Sequence, residues 1–124
     1  MRTPLYLKIN LTDKTWEEYS ISEEYFKKFI GGKTLAAKLL LDMTDAGLDP
    51  LGPEAMIIVN TGPLNGTGAP SSSRFNMSFK SPQTGLIASS NCGGQFGVML
   101  KKAGYDGLII TGKAQTPVIL DITD

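Results

Sequence analysis

Leu5, Leu7, Ile9 and Leu11 alternate with Tyr6, Lys8 and Asn10 in "PLYLKINL", and a period of two permits little except a strand with one face in a core. The same grammar recurs along the chain. After a turn at "TDK", "TWEEYS" reads as the return strand of a hairpin with Trp16 and Tyr19 as packing residues. "AMIIVN" is short, apolar and β-branched, as in a strand covered on both faces. Phe75, Met77 and Phe79 alternate in "RFNMSFK", a turn at "SPQTG" returns the chain through "LIASS", and "YDGLIITG" supplies another strand. Val118, Leu120 and Ile122 alternate in "TPVILDI", which predicts a terminal strand, either left open to self-association or to a missing partner, or paired inside its own sheet with the outer edge protected by charge or twist. The expected class is therefore α+β, a mainly antiparallel sheet with a few short helices.

Three segments break that rhythm. Ser20 followed by Glu23, or Ser22 followed by Glu23 and Glu24, can start a helix running to Phe29. Beyond Gly31 and Gly32, "KTLAAKLLLDM" places Leu35, Ala36, Leu39, Leu40 and Met43 on one helical face, a packing stripe. A third helix is expected from Gln95 to Ala103, capped by Gly104.

Two polar stretches stand out against this frame. "TGPLNGTGAPSSS" is a long glycine-, proline- and serine-rich loop that delivers Arg74 to the start of a strand. "NCGG" reads as a turn between the strand "LIASS" and the third helix, and exposes amide groups where phosphate or a polar heterocycle could sit. The glycines serve equally well as positive-φ or close-packing residues, and the spacing is not that of a dinucleotide or phosphate-loop fingerprint. Antiparallel pairing would bring Arg74 and Asn91 to one end of neighbouring strands.

Chemistry is bounded by what is missing. The 124 residues contain no histidine and one cysteine, which removes Ser-His-Asp and Cys-His nucleophile systems, histidine metal sites and any iron-sulfur cluster held by this chain alone. Hard chemistry would have to sit on a cofactor. Twelve basic residues against twelve acidic ones favour neither nucleic acid nor an anionic membrane as partner. The lone Cys92, and the lack of a secretion-type start or a long apolar run, place the expected location in the cytoplasm.

The ordered blocks "LKINLTDKT", "GPLNGTGAPSSSRFNM", "SPQTGLI" and "SNCGGQFGVMLKKAGYDGLIITGKAQTPV" resemble the N-terminal domain of tungsten-containing aldehyde:ferredoxin oxidoreductases, over nearly the whole chain. The resemblance implies that residues 1–124 are part or all of a domain lying under a tungsten or molybdenum bis-pterin cofactor. A four-iron four-sulfur cluster, much of the substrate pocket and the ferredoxin contact would belong to remaining domains or a further subunit. Carried over by motif, the cofactor-binding residues are Arg74, Asn91, Cys92 and Gly93, with Cys92 departing from the family's serine. A thiol bonds more weakly than a hydroxyl, so at Cys92 only a backbone contact survives the change intact. The family reaction, oxidation of an aldehyde to a carboxylic acid with ferredoxin as acceptor, needs more than this chain. The alternative is a non-catalytic pterin- or nucleotide-binding module, or an assembly protein. A homo-oligomer is one way to hide the terminal strand.

Overall fold

The computed structural model describes residues 2–123. The hairpin forms as its alternation dictates: β1 (Leu5–Asn10) pairs antiparallel with β2 (Thr15–Ser20), turning at Lys14 with φ +54°. Two helices follow, α1 (Glu23–Phe29) and α2 (Gly32–Met43). Of the two possible caps, Ser22 is the one used: its hydroxyl accepts from the Tyr25 amide at 3.2 Å. The remaining elements are β3 (Ile57–Thr61), β4 (Arg74–Lys80), β5 (Ile87–Gly93), α3 (Phe96–Lys102) and β6 (Gly107–Thr111).

All the strands join in one six-stranded sheet of order β2-β1-β6-β3-β4-β5. Every pairing is antiparallel except β1 with β6, which run parallel. β6, the last strand in the sequence, therefore lies at the centre and joins the N-terminal hairpin to the β3–β4–β5 meander. The α+β expectation, mainly antiparallel with short helices, holds.

Apolar residues divide between the two faces of the sheet. On one, the α2 stripe of Leu35, Ala36, Leu39 and Leu40 packs on Tyr6, Ile58 and Ile109, with Met43 at its margin. On the other, Leu7, Ile9, Val59 and Leu108 pack beneath Leu100 of α3. Fully burying one such side chain stabilises the fold by roughly 1.5–3 kcal/mol. Ile58 and Val59 point to opposite clusters, as expected for a strand covered on both faces. Tyr6 lies against Gly107, where a methyl group would come within 2.6 Å of the ring. Burial pushes the Tyr6 phenol far above its ordinary pKa, so it stays protonated.

Three local expectations are corrected. Trp16 is 69% exposed, because β2 is an edge strand and no helix covers it; Tyr19, the other packing residue expected there, is partly buried against the α2 cluster. The stretch 115–123 forms no strand. Both sides of β6 are taken by β1 and β3, so "TPVILDI" finds no open edge there and crosses the sheet face instead, with Ile122 packed on the second cluster and Ile119 exposed. Asn91, Cys92 and Gly93 lie within β5, not in a turn, because Asn76, Phe75 and Arg74 of β4 pair with them across the ladder and extend it to Gly93. The turn is displaced to Gly94, at φ +105°, and Gln95.

Among the described residues, no helix is long and apolar enough to cross a membrane.

Candidate functional site: a polar platform at the end of β4 and β5

Cross-strand register defines the platform. Arg74 lies opposite Gly93, and Asn76 opposite Asn91. Opposed residues in an antiparallel ladder share a face, and so do residues two apart on one strand. Arg74, Asn76, Asn91 and Gly93 thus occupy four corners of one face. Cys92 is opposite Phe75 and belongs to the other face, where the Phe75 ring lies 4.8 Å from Phe96. Its thiol donates back to the Gly93 carbonyl at 3.3 Å. Of the four residues singled out in the sequence, Arg74, Asn91 and Gly93 converge, and Cys92 can join them only through its backbone.

The long loop is tied to this end of the sheet. Asn65, buried in the loop, donates from Nδ2 to the Arg74 carbonyl at 2.7 Å, and Ser73 Oγ donates to the Gly94 carbonyl. Gly97 at the start of α3 lets Asn65 approach, since a methyl group there would come within 2.6 Å of Asn65 Nδ2. Gly66 and Gly68 take φ +78° and +87°, the left-handed turns expected of so glycine-rich a segment. Arg74 itself is exposed, and no carboxylate among the described residues lies within ion-pairing distance of it. α3 has only seven residues, so its dipole adds little to the field of the platform.

Asn76 and Ser78 are the residues that sequence reasoning missed. Period-two alternation assigns them to the watery side of β4, yet they are 3% and 0% exposed. Their signal was chemical: small, uncharged polar side chains occupy positions where a solvated strand would commonly carry Lys or Glu. Ser78 Oγ donates to Asn76 Oδ1 at 2.6 Å, and Asn76 Nδ2 donates to the Ser90 carbonyl at 3.2 Å and to Asn91 Oδ1 at 3.1 Å.

A separate cavity of about 360 Å³ lies behind the loop, between Tyr6, Phe26 and Leu35 on one side and Lys101 and Asp106 on the other. Arg2 and Lys101 both pair with the Asp106 carboxylate, which also accepts from the Leu5 amide at 2.9 Å. That cluster fastens the N-terminal segment to β6. Neither Arg74 nor Asn91 lines the cavity, and Arg74, Asn91 and Gly93 are all exposed.

A family model described as the aldehyde ferredoxin oxidoreductase N-terminal domain matches residues 6–124. The chain belongs to that family. As a member of the aldehyde ferredoxin oxidoreductase N-terminal family, it is 48% identical over 118 residues to a tungsten-containing aldehyde ferredoxin oxidoreductase of Pyrococcus abyssi, covering 95% of this chain and 19% of the relative. It is 46% identical over 121 residues to the protein of the same description in Pyrococcus furiosus, covering 96% of this chain and 20% of that one. The chain thus spans about a fifth of the length of these relatives. Among solved structures, the active site complex BamBC of benzoyl coenzyme A reductase, in complex with 1,5-dienoyl-CoA, superposes with a TM-score of 0.89 at 35% identity over 93% of this chain and 18% of that one.

The platform of this family member fits an anionic, acceptor-rich group. An arginine with no acidic partner among the described residues stands beside an exposed Gly93, whose added methyl group would meet nothing closer than the Ser73 carbonyl at 3.9 Å. Among the described residues no group of three His, Cys, Asp or Glu is placed to hold a metal ion.

Proposed function

We propose that this chain, residues 1–124, is part or all of the N-terminal domain of a tungsten (or molybdenum) bis-pterin oxidoreductase, and that its platform carries the pterin. The single observation supporting this reading is the convergence of Arg74, Asn91 and Gly93 on one exposed face, with Arg74 free of any carboxylate among the described residues. The planar guanidinium supplies forked donors to a phosphate, and Asn91 adds a neutral amide. Gly93 leaves the backbone of β5 open to close approach, and Cys92 contributes only backbone. When bound, the tungsten–pterin group supplies the two-electron chemistry by which an aldehyde and water give a carboxylic acid, two protons and two electrons. A four-iron four-sulfur cluster that would carry these electrons toward ferredoxin would have to be held by the remaining domains or subunit, because this chain has a single cysteine. The role of this chain is to bind and orient; no side chain of it performs the redox step. The complete enzyme works in the cytoplasm, where a lone exposed thiol stays reduced.

A second reading is that the same platform serves another reaction. It is favoured by the names of similar proteins: the WOR-like subunit of an aliphatic sulfonate oxidoreductase of Pyrococcus furiosus is 39% identical over 119 residues, and the benzoyl coenzyme A reductase complex shares the fold. Substrate choice then lies outside this chain.

The test is to isolate the polypeptide that contains this chain and measure tungsten, molybdenum and pterin together with aldehyde-dependent reduction of ferredoxin. The expected result is metal and pterin bound and ferredoxin reduced. Protein that folds but takes up no pterin would overturn the platform reading, whereas loaded protein inert toward aldehydes would favour the second reading.

A further inference from the structure

We infer that Asn76, held by Ser78, is a positioning residue that turns the Asn91 amide so that only its N–H groups face outward, making the platform a donor surface for an acceptor-rich anion such as a phosphate. The inference rests on the reading of Arg74, Asn91 and Gly93 as cofactor-facing residues and adds what sets their polarity.

The orientation follows from one fixed point. A backbone carbonyl can only accept, so the Asn76 atom 3.2 Å from the Ser90 carbonyl must be Nδ2. The other terminal atom of Asn76 is then Oδ1, and the Ser78 hydroxyl at 2.6 Å must donate to it. Asn76 Nδ2 also lies 3.1 Å from a terminal atom of Asn91, and two amide nitrogens cannot satisfy one another, so that atom is Asn91 Oδ1. The only acceptor of the Asn91 amide is therefore turned inward, toward β4. Its two N–H donors are left for whatever covers the exposed face, beside the guanidinium of Arg74.

Burial explains why this arrangement stays put. Asn76 is 3% exposed and Ser78 0%, so reversing the Asn76 amide would set its Oδ1 against the Ser90 carbonyl, acceptor against acceptor away from water. Apolar side chains at both positions would complete the core without any such bonds. A buried Ser78–Asn76 relay ending on an exposed amide adds direction to Asn91, which packing alone would not give.

The test uses the intact holoenzyme and follows pterin release over time by its fluorescence. Its variants are Asn91→Ala, Asn76→Leu and the double variant, with thermal midpoints recorded for each. Asn91→Ala is expected to release pterin about tenfold faster, the scale of one lost hydrogen bond to a charged group. Asn76→Leu should approach that rate, and the double variant should be no faster than Asn91→Ala, because Asn76 acts through Asn91. Multiplied effects in the double variant, or Asn76→Leu releasing at the wild-type rate, would overturn the inference while leaving the platform reading intact. An unchanged rate in Asn91→Ala would overturn the assignment of Asn91 to the cofactor, and the inference with it. Should Asn76→Leu fail to fold, Ser78→Ala replaces it: it removes the donor to Asn76 Oδ1 and leaves the amide held from β5 alone, and it should speed release only when Asn91 is present.

Discussion

Arg74 and Gly93 face one another directly across the β4–β5 ladder, the one bringing a permanent positive charge and the other no side chain at all. A charge beside a gap suits a bound anion, and it makes the two positions separable by mutation. Arg74→Lys keeps the charge and loses the planar fork. Its side chain has no partner among the described residues, so the thermal midpoint should stay within about 1 °C, since surface changes away from special features are small. Pterin content of the intact protein should fall. Unchanged pterin content would remove Arg74 from the site.

Glycines elsewhere should respond differently from Gly93. At Gly93 an added methyl group meets only the Ser73 carbonyl at 3.9 Å, so Gly93→Ala should fold normally and hinder only what approaches from outside. At Gly107 the same methyl group comes within 2.6 Å of the Tyr6 ring and 2.7 Å of the Val59 carbonyl, in the middle of the sheet. Gly107→Ala should cost about 1–3 kcal/mol by overpacking, read from a denaturant midpoint. Equal midpoints for the two variants would contradict this account.

The alternations, the α2 stripe and a serine cap at Ser20 or Ser22 were legible because each is local: period and cap chemistry depend on neighbours within a few residues. What was not legible depends on partners distant in sequence. Asn91 to Gly93 read as a turn because glycine and asparagine suit turns, and only β4 opposite them keeps them extended. Val118, Leu120 and Ile122 carry a strand pattern but cannot pair with the neighbouring β6, which is already flanked by β1 and β3. Trp16 reads as core by residue type, yet the strand that carries it has neighbours on one side only. Ser78 and Asn76 look solvated until α2 is known to lie over β4. Arg74 and Asn91 are candidates that the sequence itself offers, whereas the relay beneath Asn91 is visible only in the fold.

Acid should weaken a surface cluster on the helices. The hydrogen bond from Lys38, then that from Tyr25 at 2.7 Å, hold the Asp42 carboxyl below its ordinary pKa. A carboxyl whose folded pKa is depressed adds stability above its unfolded value and loses that contribution as pH falls through the folded one. The thermal midpoint should therefore drop as pH is lowered below about 4, and Asp42→Asn should flatten part of that slope. At high pH the raised pKa values of Tyr25 and Lys38 predict the opposite limb: their contribution is complete at neutral pH and is lost as pH rises through the folded values. A wild-type and Asp42→Asn pair with identical pH profiles would show that the cluster contributes nothing.

The two edges of the sheet are protected unequally. β2 carries Glu17 and Glu18, whereas β5, "IASSNCG", has no charge and no proline, and Leu86 beside it is 70% exposed. Prepared alone, the 124-residue chain should self-associate through β5 as its concentration rises, and Leu86→Lys should shift association to higher concentration. Light scattering across a dilution series reads both; a wild-type monomer at every concentration would exclude this edge as the adhesive one.

β6 is the last of the described strands to be made, and it joins the two halves of the sheet. While the chain emerges from a ribosome, β1 can pair with β2, and β3 with β4 and β5, but these are two separate ribbons with no strand between them. Only when Gly107 to Thr111 appears can it slot between β1 and β3, parallel to one and antiparallel to the other, across a sequence separation of about a hundred residues from β1. Folding is thus deferred until nearly the entire segment has been synthesised, and every nascent chain passes through a stage with open strand edges, during which binding of a chaperone or an early partner has its greatest effect.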